Sequence, residues 1–156
     1  REEWIMRRRD REMPKEFACH VADSCLFSVV SMVTPEGKPY AVPLSVVRDG
    51  DTLYFHSAAE GQKTDCLRAN PEVCVACVGD ARCPNDRFTT LYESAVAKGI
   101  AREVTETEEK IHALRLICEH FSPDNMPQFD GAIAYSLPVT AIWRIDVKEW
   151  TGKAKQ

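Results

Sequence analysis

The stretch from Thr52 to Pro71 (TLYFHSAAEGQKTDCLRANP) is the feature that most constrains the fold of this chain. It opens with β-forming residues at 53–55, which follow the turn dipeptide Asp49-Gly50 and predict a strand. A loop of small residues, 56–61, comes next. A short helix over 61–69 is then predicted, ended by the following Asn-Pro. The sequence therefore predicts a strand, a tight loop and the start of a helix in immediate succession.

Such a corner can bind an anion, because the first amides of a helix have no partner within it and the macrodipole favours negative charge there. Ser57 offers a hydroxyl donor, and Lys63 places an ammonium in the first helical turn. We therefore expect a phosphate at this corner. The alternative, a corner that binds nothing beside a solvated lysine, stays open on these residues alone. The sequence contains neither a Walker pattern nor a GxGxxG motif, so nucleotide hydrolysis and dinucleotide-binding folds are not indicated.

Size and charge limit the class of protein. We expect one domain over 1–156, because 156 residues with 44% hydrophobic and 28% charged residues suit one ordinary globular core. The formal charge of −4 argues against nucleic acid as the main partner. Apolar runs are far shorter than the roughly 20 residues of a membrane span, and the charged N-terminal region does not resemble a signal peptide. The expected compartment is the cytoplasm.

The seven cysteines are scattered along the chain rather than arranged as a disulfide framework. Cys74 and Cys77 form a CxxC motif, but residues three apart on a strand point to opposite faces and suit a shared metal poorly. We expect buried free thiols and no metal site. A zinc or iron–sulfur site is the alternative.

The rest of the chain predicts a small β-barrel with helices. Six strands are predicted, over 26–33, 39–47, 53–55, 73–78, 91–104 (bent near Gly99) and 139–147. Helices are predicted over 14–23, 61–69 and 105–121, the last capped by Thr105. Residues 80–90 are predicted as a loop, 122–136 stay unassigned, 1–13 form an arm and 150–156 an exposed tail. Short antiparallel strands joined by tight turns suit a closed barrel, since closure removes exposed edges.

A family resemblance adds to this interpretation. The motif HSAAEGQK, with the upstream strand YAVPL at 40–44, resembles the pyridoxamine 5′-phosphate oxidase-like, FMN-binding split-barrel superfamily. The N-terminal MRRRDRE and the C-terminal WTGKA resemble its nitroimidazole-resistance subgroup. The resemblance implies a six-stranded antiparallel split barrel of Greek-key type with two or three flanking helices. It also implies a homodimer that holds FMN between its subunits.

The resemblance assigns roles to several residues. The flavin ring edge would lie along Val42, Pro43, Leu44 and Ser45, contacted through backbone groups. Ser57 and Lys63 would hold the phosphate, and Gln62 stands where the family usually has arginine, which lowers the expected phosphate affinity. Ser94 would supply a polar contact to the ring or ribityl chain. Trp143 would cover the ring, or would instead pack in the core of the last strand.

The function implied is reduction of a nitroaromatic or another small acceptor by hydride from reduced FMN. His56 is the candidate catalytic residue, as a proton donor or a hydrogen-bond donor to substrate. Strand alternation would turn His56 away from Ser57 unless the loop has already begun. Two alternatives remain: a non-catalytic FMN-binding or redox-sensing protein assisted by its thiols, and a cofactor-free dimerising or metal-binding module. Pyridoxine phosphate oxidation is not indicated, because the sequence lacks an arginine-rich substrate signature.

Overall fold

The computed structural model describes residues 5–156. The helices are Lys15–Ser24 (α1), Gln62–Ala69 (α2), Thr107–Phe121 (α3) and Phe129–Ser136 (α4). The strands are Glu12–Met13 (β1), Ser28–Val33 (β2), Pro39–Leu44 (β3), Val47–Asp49 (β4), Thr52–Ala58 (β5), Glu72–Arg82 (β6), Leu91–Glu103 (β7) and Thr140–Lys155 (β8). Short 3₁₀ turns cover Arg9–Arg11, Pro123–Gln128 and Leu137–Val139. None of the helices in this part of the chain has the length and apolar character needed to cross a membrane.

The strands form one antiparallel sheet that curls into a split barrel. Its order is β3-β2-β6-β7-β8-β5-β4, and β1 pairs with the end of β8. The first and last strands of this order, β3 and β4, are separated in sequence only by Ser45 and Val46. Because two residues cannot span a flat sheet, its two ends must come together. The predicted mainly β, split-barrel fold is confirmed.

The number of elements differs from the prediction of six strands and two or three helices. Eight strands form because the predicted strand 39–47 divides at Ser45–Val46, and because the two-residue β1 joins β8. Four helices form because the unassigned segment 122–136 contains a 3₁₀ turn and α4. Helix α3 begins at Thr107 with Glu106 as its N-cap, so the predicted cap at Thr105 is wrong.

Strand β5 is longer than its propensities predict. His56, Ser57 and Ala58 pair with Ile142, Ala141 and Thr140 of β8, so the strand ends at Ala58 rather than at residue 55. Pairing with a long neighbouring strand overrides the weak β-propensity of small residues. The predicted loop 80–90 is shortened for the same reason, since β6 continues to Arg82 beside β7.

The predicted exposed tail 150–156 is wrong. Strand β8 continues to Lys155, and Gly152 and Ala154 are buried. Gly152 pairs with Ala95 of β7 on one side and with Met13 of β1 on the other. The segment has a period of two, so its small residues face inward while its lysines reach solvent.

Two apolar clusters occupy the two faces of the sheet. The inner cluster fills the barrel and includes Phe55, Val75 and Ile145, each fully buried. The outer cluster joins α3 and α4 to β5 and β8 through Tyr54, Ile142 and their helix partners. Helix α3 is also held by Arg144 of β8, which donates to both carboxylate oxygens of Glu109 at 2.8 and 3.0 Å. These contacts fix the position of β5, whose end forms one side of the corner described next.

Candidate functional site

The corner between β5 and α2 is narrower than predicted, because only Ala59, Glu60 and Gly61 separate the two elements. Gly61 has φ +147°, a conformation that residues with a side chain rarely adopt. A Cβ built on Gly61 would meet nothing within 4 Å, so the space above the helix start is open. The corner therefore depends on glycine for its backbone conformation rather than for lack of room.

The first amides of α2 are available to a ligand. The N-cap residue Gly61 offers no side-chain acceptor, and the first helical bond in this turn runs from the Asp65 amide to the Gly61 carbonyl at 3.1 Å. Thr64, 1% exposed, donates its hydroxyl to the same carbonyl at 2.8 Å and so fastens the loop to the first turn. Amides at positions 62–64 remain to be satisfied by water or an anion.

Ser57 lies at the end of β5, 8% exposed on the inner face. Its hydroxyl donates to the Ala58 carbonyl at 2.8 Å. To hold a phosphate, this hydroxyl must exchange the carbonyl for a ligand oxygen, a rotation about one side-chain bond.

The cations of the corner are Lys63 and Arg68. Lys63 is half-buried in the first turn of α2. Arg68 reaches back from the last turn to the Ala59 carbonyl at 3.4 Å and to Glu103 at 3.5 Å. Sequence reasoning missed Arg68, although its i+4 spacing from the buried Thr64 places it on the helix side that faces the loop. Gln62 is exposed. Its backbone amide can donate to an anion at the corner, and this does not depend on the identity of its side chain.

His56 faces away from Ser57, as strand alternation predicts. His56 is exposed on the outer face beside Ile142, and Ser57 is buried on the inner face. Although part of the residue reaches solvent, desolvation by the atoms packed around the imidazole lowers the pKa of His56 below its ordinary 6.5, and the nearby charge of Lys63 lowers it further. The imidazole is therefore neutral at pH 7, which suits a hydrogen-bond donor better than a proton donor.

The predicted ring-edge residues lie on β3 and on the two-residue link between β3 and β4. The β4–β5 ladder begins only after this link, with the pair Val47 and Tyr54. Val42 and Leu44 turn toward the core, whereas Pro43 is exposed on β3. Pro43 is therefore the residue of this set with the greatest access to a ligand.

Ser94 lies on β7, outside the two elements that form this corner. It pairs with Lys153 of β8 and contacts the Lys153 carbonyl at 3.4 Å. Ser57 pairs with Ala141, twelve residues earlier on the same strand, which corresponds to roughly 40 Å of extended chain.

Trp143 is 2% exposed and lies beside Phe55 inside the barrel. Trp143 therefore packs in the core, which is the second of its two predicted roles, and its side chain is too buried to cover a ligand at the surface. Its Nε1 has no hydrogen-bond partner among residues 5–156.

The CxxC motif lies on β6 with its two thiols on opposite faces. Cys77 is 2% exposed inside the barrel, and Cys74 is half-buried on the outer face. Burial raises the pKa of the Cys77 thiol to about 11. The two side chains therefore do not converge on one ion.

Comparison with known proteins identifies the family. A family model described as pyridoxamine 5′-phosphate oxidase matches residues 16–154. The chain belongs to this family. Among the curated proteins, none matches the chain. The matched region of this family member includes the whole corner, β3 and most of β8.

Solved structures agree with the assignment. A proposed 5-nitroimidazole antibiotic resistance protein from Bacteroides thetaiotaomicron is 28% identical, covers 91% of this chain and 85% of its own, and has a TM-score of 0.77. A FAD-binding protein from Mesorhizobium loti is 22% identical over 94% of this chain and 98% of its own, with a TM-score of 0.70. A flavocytochrome from Azotobacter vinelandii is 18% identical over 97% of this chain and 72% of its own, with a TM-score of 0.81. The last two similarities concern the fold alone.

Proposed function

We propose that this member of the pyridoxamine 5′-phosphate oxidase family is an FMN-dependent oxidoreductase that reduces a nitroaromatic or similar small acceptor. The observation that carries the proposal is the open N-terminus of α2, where Gly61 leaves the first amides free beside Lys63. Backbone amides, an ammonium and a hydroxyl form the donor set that a phosphate ester requires. The residues present therefore fit the phosphate of FMN.

The flavin ring would lie along Val42–Ser45. The exposure of Pro43 on β3 and the short link through Ser45 to β4, the neighbour of β5, support this placement. Backbone groups there would contact the ring edge, so the side chains of Val42 and Leu44 would remain packed inward.

The site would be completed by a second copy of the chain. The outer face of the sheet and the residue before β2 expose apolar side chains that a lone molecule would leave in water: Val29 is 40% exposed, Val78 60% and Phe27 59%. Val29 pairs with Pro43, and Val78 pairs with Ser94. A homodimer formed through this face buries the patch and brings Ser94 of one subunit toward the Pro43 strand of the other.

When bound, reduced FMN supplies the hydride for the acceptor. The chain's own residues bind, orient and exclude water. Lys63 and the α2 amides neutralise the phosphate and fix the position of the ring. His56, kept neutral by its surroundings, offers an N–H to an oxygen of the acceptor. The competing function, FMN binding without turnover in a thiol-based sensor, is less well supported, because burial raises the pKa of several thiols and keeps them protonated.

The absorption spectrum of the protein as purified, repeated after added FMN and FAD, tests the proposal first. We expect flavin absorption bands from FMN bound in equimolar amount to the protein. A colourless protein that binds neither flavin would refute the proposal. Turnover of a nitroaromatic with chemically reduced FMN then separates the reductase from a protein that only binds flavin. Light scattering with and without the substitution Val29→Asp measures the dimer, which this charge should dissociate.

A further inference from the structure

A second group of cations lies at the far end of the barrel, away from α2. Lys153 and Lys155 project from the outer face of β8, where they pair with Ser94 and Tyr92 of β7. Ala141, the strand partner of Ser57, precedes Lys153 by twelve residues, roughly 40 Å along β8. Along β8, this group is therefore well separated from the strand partner of Ser57.

The N-terminal arm adds arginines to the same place. β1 pairs Glu12 with Lys153, and the 3₁₀ turn before it is closed by a bond from the Arg11 amide to the Arg8 carbonyl at 2.9 Å. Arg8 is engaged by Asp10, with a shortest contact of 2.6 Å. The segments 7–12 and 153–155 together carry six cationic side chains and two carboxylates, Asp10 and Glu12, in a chain of net charge −4. The patch therefore has a net positive charge in an acidic chain.

Tyr92 is the centre of this group. The Lys153 ammonium lies 5.9 Å from the centroid of the Tyr92 ring, and Arg11 directly precedes Glu12, the strand partner of Lys153. Desolvation alone would raise the pKa of Tyr92, but the neighbouring cations Arg11 and Lys153 outweigh it and leave the pKa lowered. Within residues 5–156, the ion pairs include none between a carboxylate and Arg11 or Lys153. In this part of the chain, the group that Arg11 and Lys153 share as a neighbour is thus the phenol of Tyr92, which is a weak hydrogen-bond acceptor rather than a carboxylate.

We propose that Arg11, Tyr92 and Lys153 form a second oxyanion site, which takes a phosphate group. A guanidinium, an ammonium and a phenol O–H supply donors from three sides, and all three side chains are half-buried and reachable from solvent. An oxyanion is a stronger acceptor than the phenol, so the two cations gain by turning to it while the phenol donates its own proton. Tyr92 and Ser94 share the outer face, so the ligand would lie beside the surface proposed for the second subunit. The site does not depend on FMN binding at α2.

Titration calorimetry with inorganic pyrophosphate tests the site. The background variant Ser57→Ala/Lys63→Ala weakens binding at the α2 corner by about a hundredfold, so that the tighter remaining binding reports on the second site. Adding Arg11→Gln and Lys153→Gln should weaken the remaining binding by about a hundredfold, and Tyr92→Phe by about threefold to tenfold. Lys148→Gln, on the same strand and with the same loss of charge as Lys153→Gln alone, should change it by less than about twofold.

Three results would overturn the proposal: no pyrophosphate binding by the background variant at millimolar concentration, unchanged binding after Arg11→Gln/Lys153→Gln, or an equal loss with Lys148→Gln, which would indicate only general charge screening. Circular dichroism establishes that each variant folds. If the double glutamine variant does not fold, Tyr92→Phe decides, because it keeps the ring and removes only the hydroxyl. Unchanged affinity in that variant would then refute the site.

Discussion

His56 at the end of β5 and Lys63 in the first turn of α2 are electrostatic neighbours, although their strand and helix meet at a loop of three residues. Desolvation lowers the pKa of His56, and the charge of Lys63 lowers it further. The folded chain therefore takes up this proton at a lower pH than the unfolded chain, whose histidine titrates near 6.5.

It follows that stability is lost as the pH falls. Well above pH 6.5 neither state is protonated at His56. As the pH falls through 6.5 the unfolded state binds the proton first, and stability is lost until the folded state is protonated too. Urea unfolding at a series of pH values should show a shallower acid loss in His56→Gln than in the wild type. His20→Gln, an exposed histidine on α1, is the control. Identical slopes in His56→Gln and the wild type would contradict this prediction.

Loss of the phosphate contacts should weaken FMN binding. Ser57→Ala/Lys63→Ala removes one neutral and one charged donor, which together contribute about 3 kcal/mol, or roughly a hundredfold in the dissociation constant. Quenching of flavin fluorescence measures the affinity. Lys38→Ala, in the exposed turn before β3, is the matched control and should bind FMN as the wild type does. Equal affinities for all three proteins would place the phosphate elsewhere.

Gly61 should be intolerant of any side chain. At φ +147°, Gly61→Ala strains the backbone and should cost about 1–3 kcal/mol in the free energy of unfolding, even though the added Cβ would meet no atom. Gly131→Ala in α4 is the control with the opposite expected sign. A Cβ at Gly131 would also meet no atom, but this residue lies within a helix, where alanine is favoured. That change should stabilise by about 0.5–1 kcal/mol. Denaturant midpoints compare the two, and a neutral Gly61→Ala would show that the loop can relax.

The thiols should differ sharply in reactivity. Cys83 is exposed after β6, whereas burial raises the pKa of Cys25 and of Cys77, the latter to about 11. A thiol reagent at neutral pH should modify Cys83 first and leave Cys25 and Cys77 unmodified until the protein unfolds. Mass spectrometry of peptides identifies the modified sites, and Cys83→Ser should remove the fast phase. Rapid labelling of Cys77 in the folded protein would contradict the burial of its thiol.

The sequence predicts those parts of this fold in which local signals and tertiary packing agree. Helix α3 follows from the apolar period of Ile111, Leu114 and Ile117, and the bend near Gly99 coincides with a register shift between β7 and β8. The end of β8 was missed because its lysines suggest a solvated tail, while the pairing that orders it comes from distant strands. β1 has only two residues and no local signal at all.

The candidate site shows the same division. Its glycine, Lys63 and the helix start are local and were predictable. The direction of the pKa shift of His56 was not, because it depends on atoms that pack around the imidazole in three dimensions. Arg68 was missed because its contacts with Ala59 and Glu103 involve a loop and a strand that meet only in the folded chain.

The two ends of the curled sheet also bear on how this protein avoids aggregating. β3 pairs with β2 on one side only, so its other side is an edge that could recruit strands from foreign molecules. The alternate positions 39, 41 and 43 of β3 would share one direction of hydrogen bonding. Proline has no N–H, so Pro39 and Pro43 leave Ala41 as the one donor among these three. A strand from another molecule would find too few hydrogen-bond donors there to form a ladder. The edge of β3 can therefore remain unpaired without promoting aggregation.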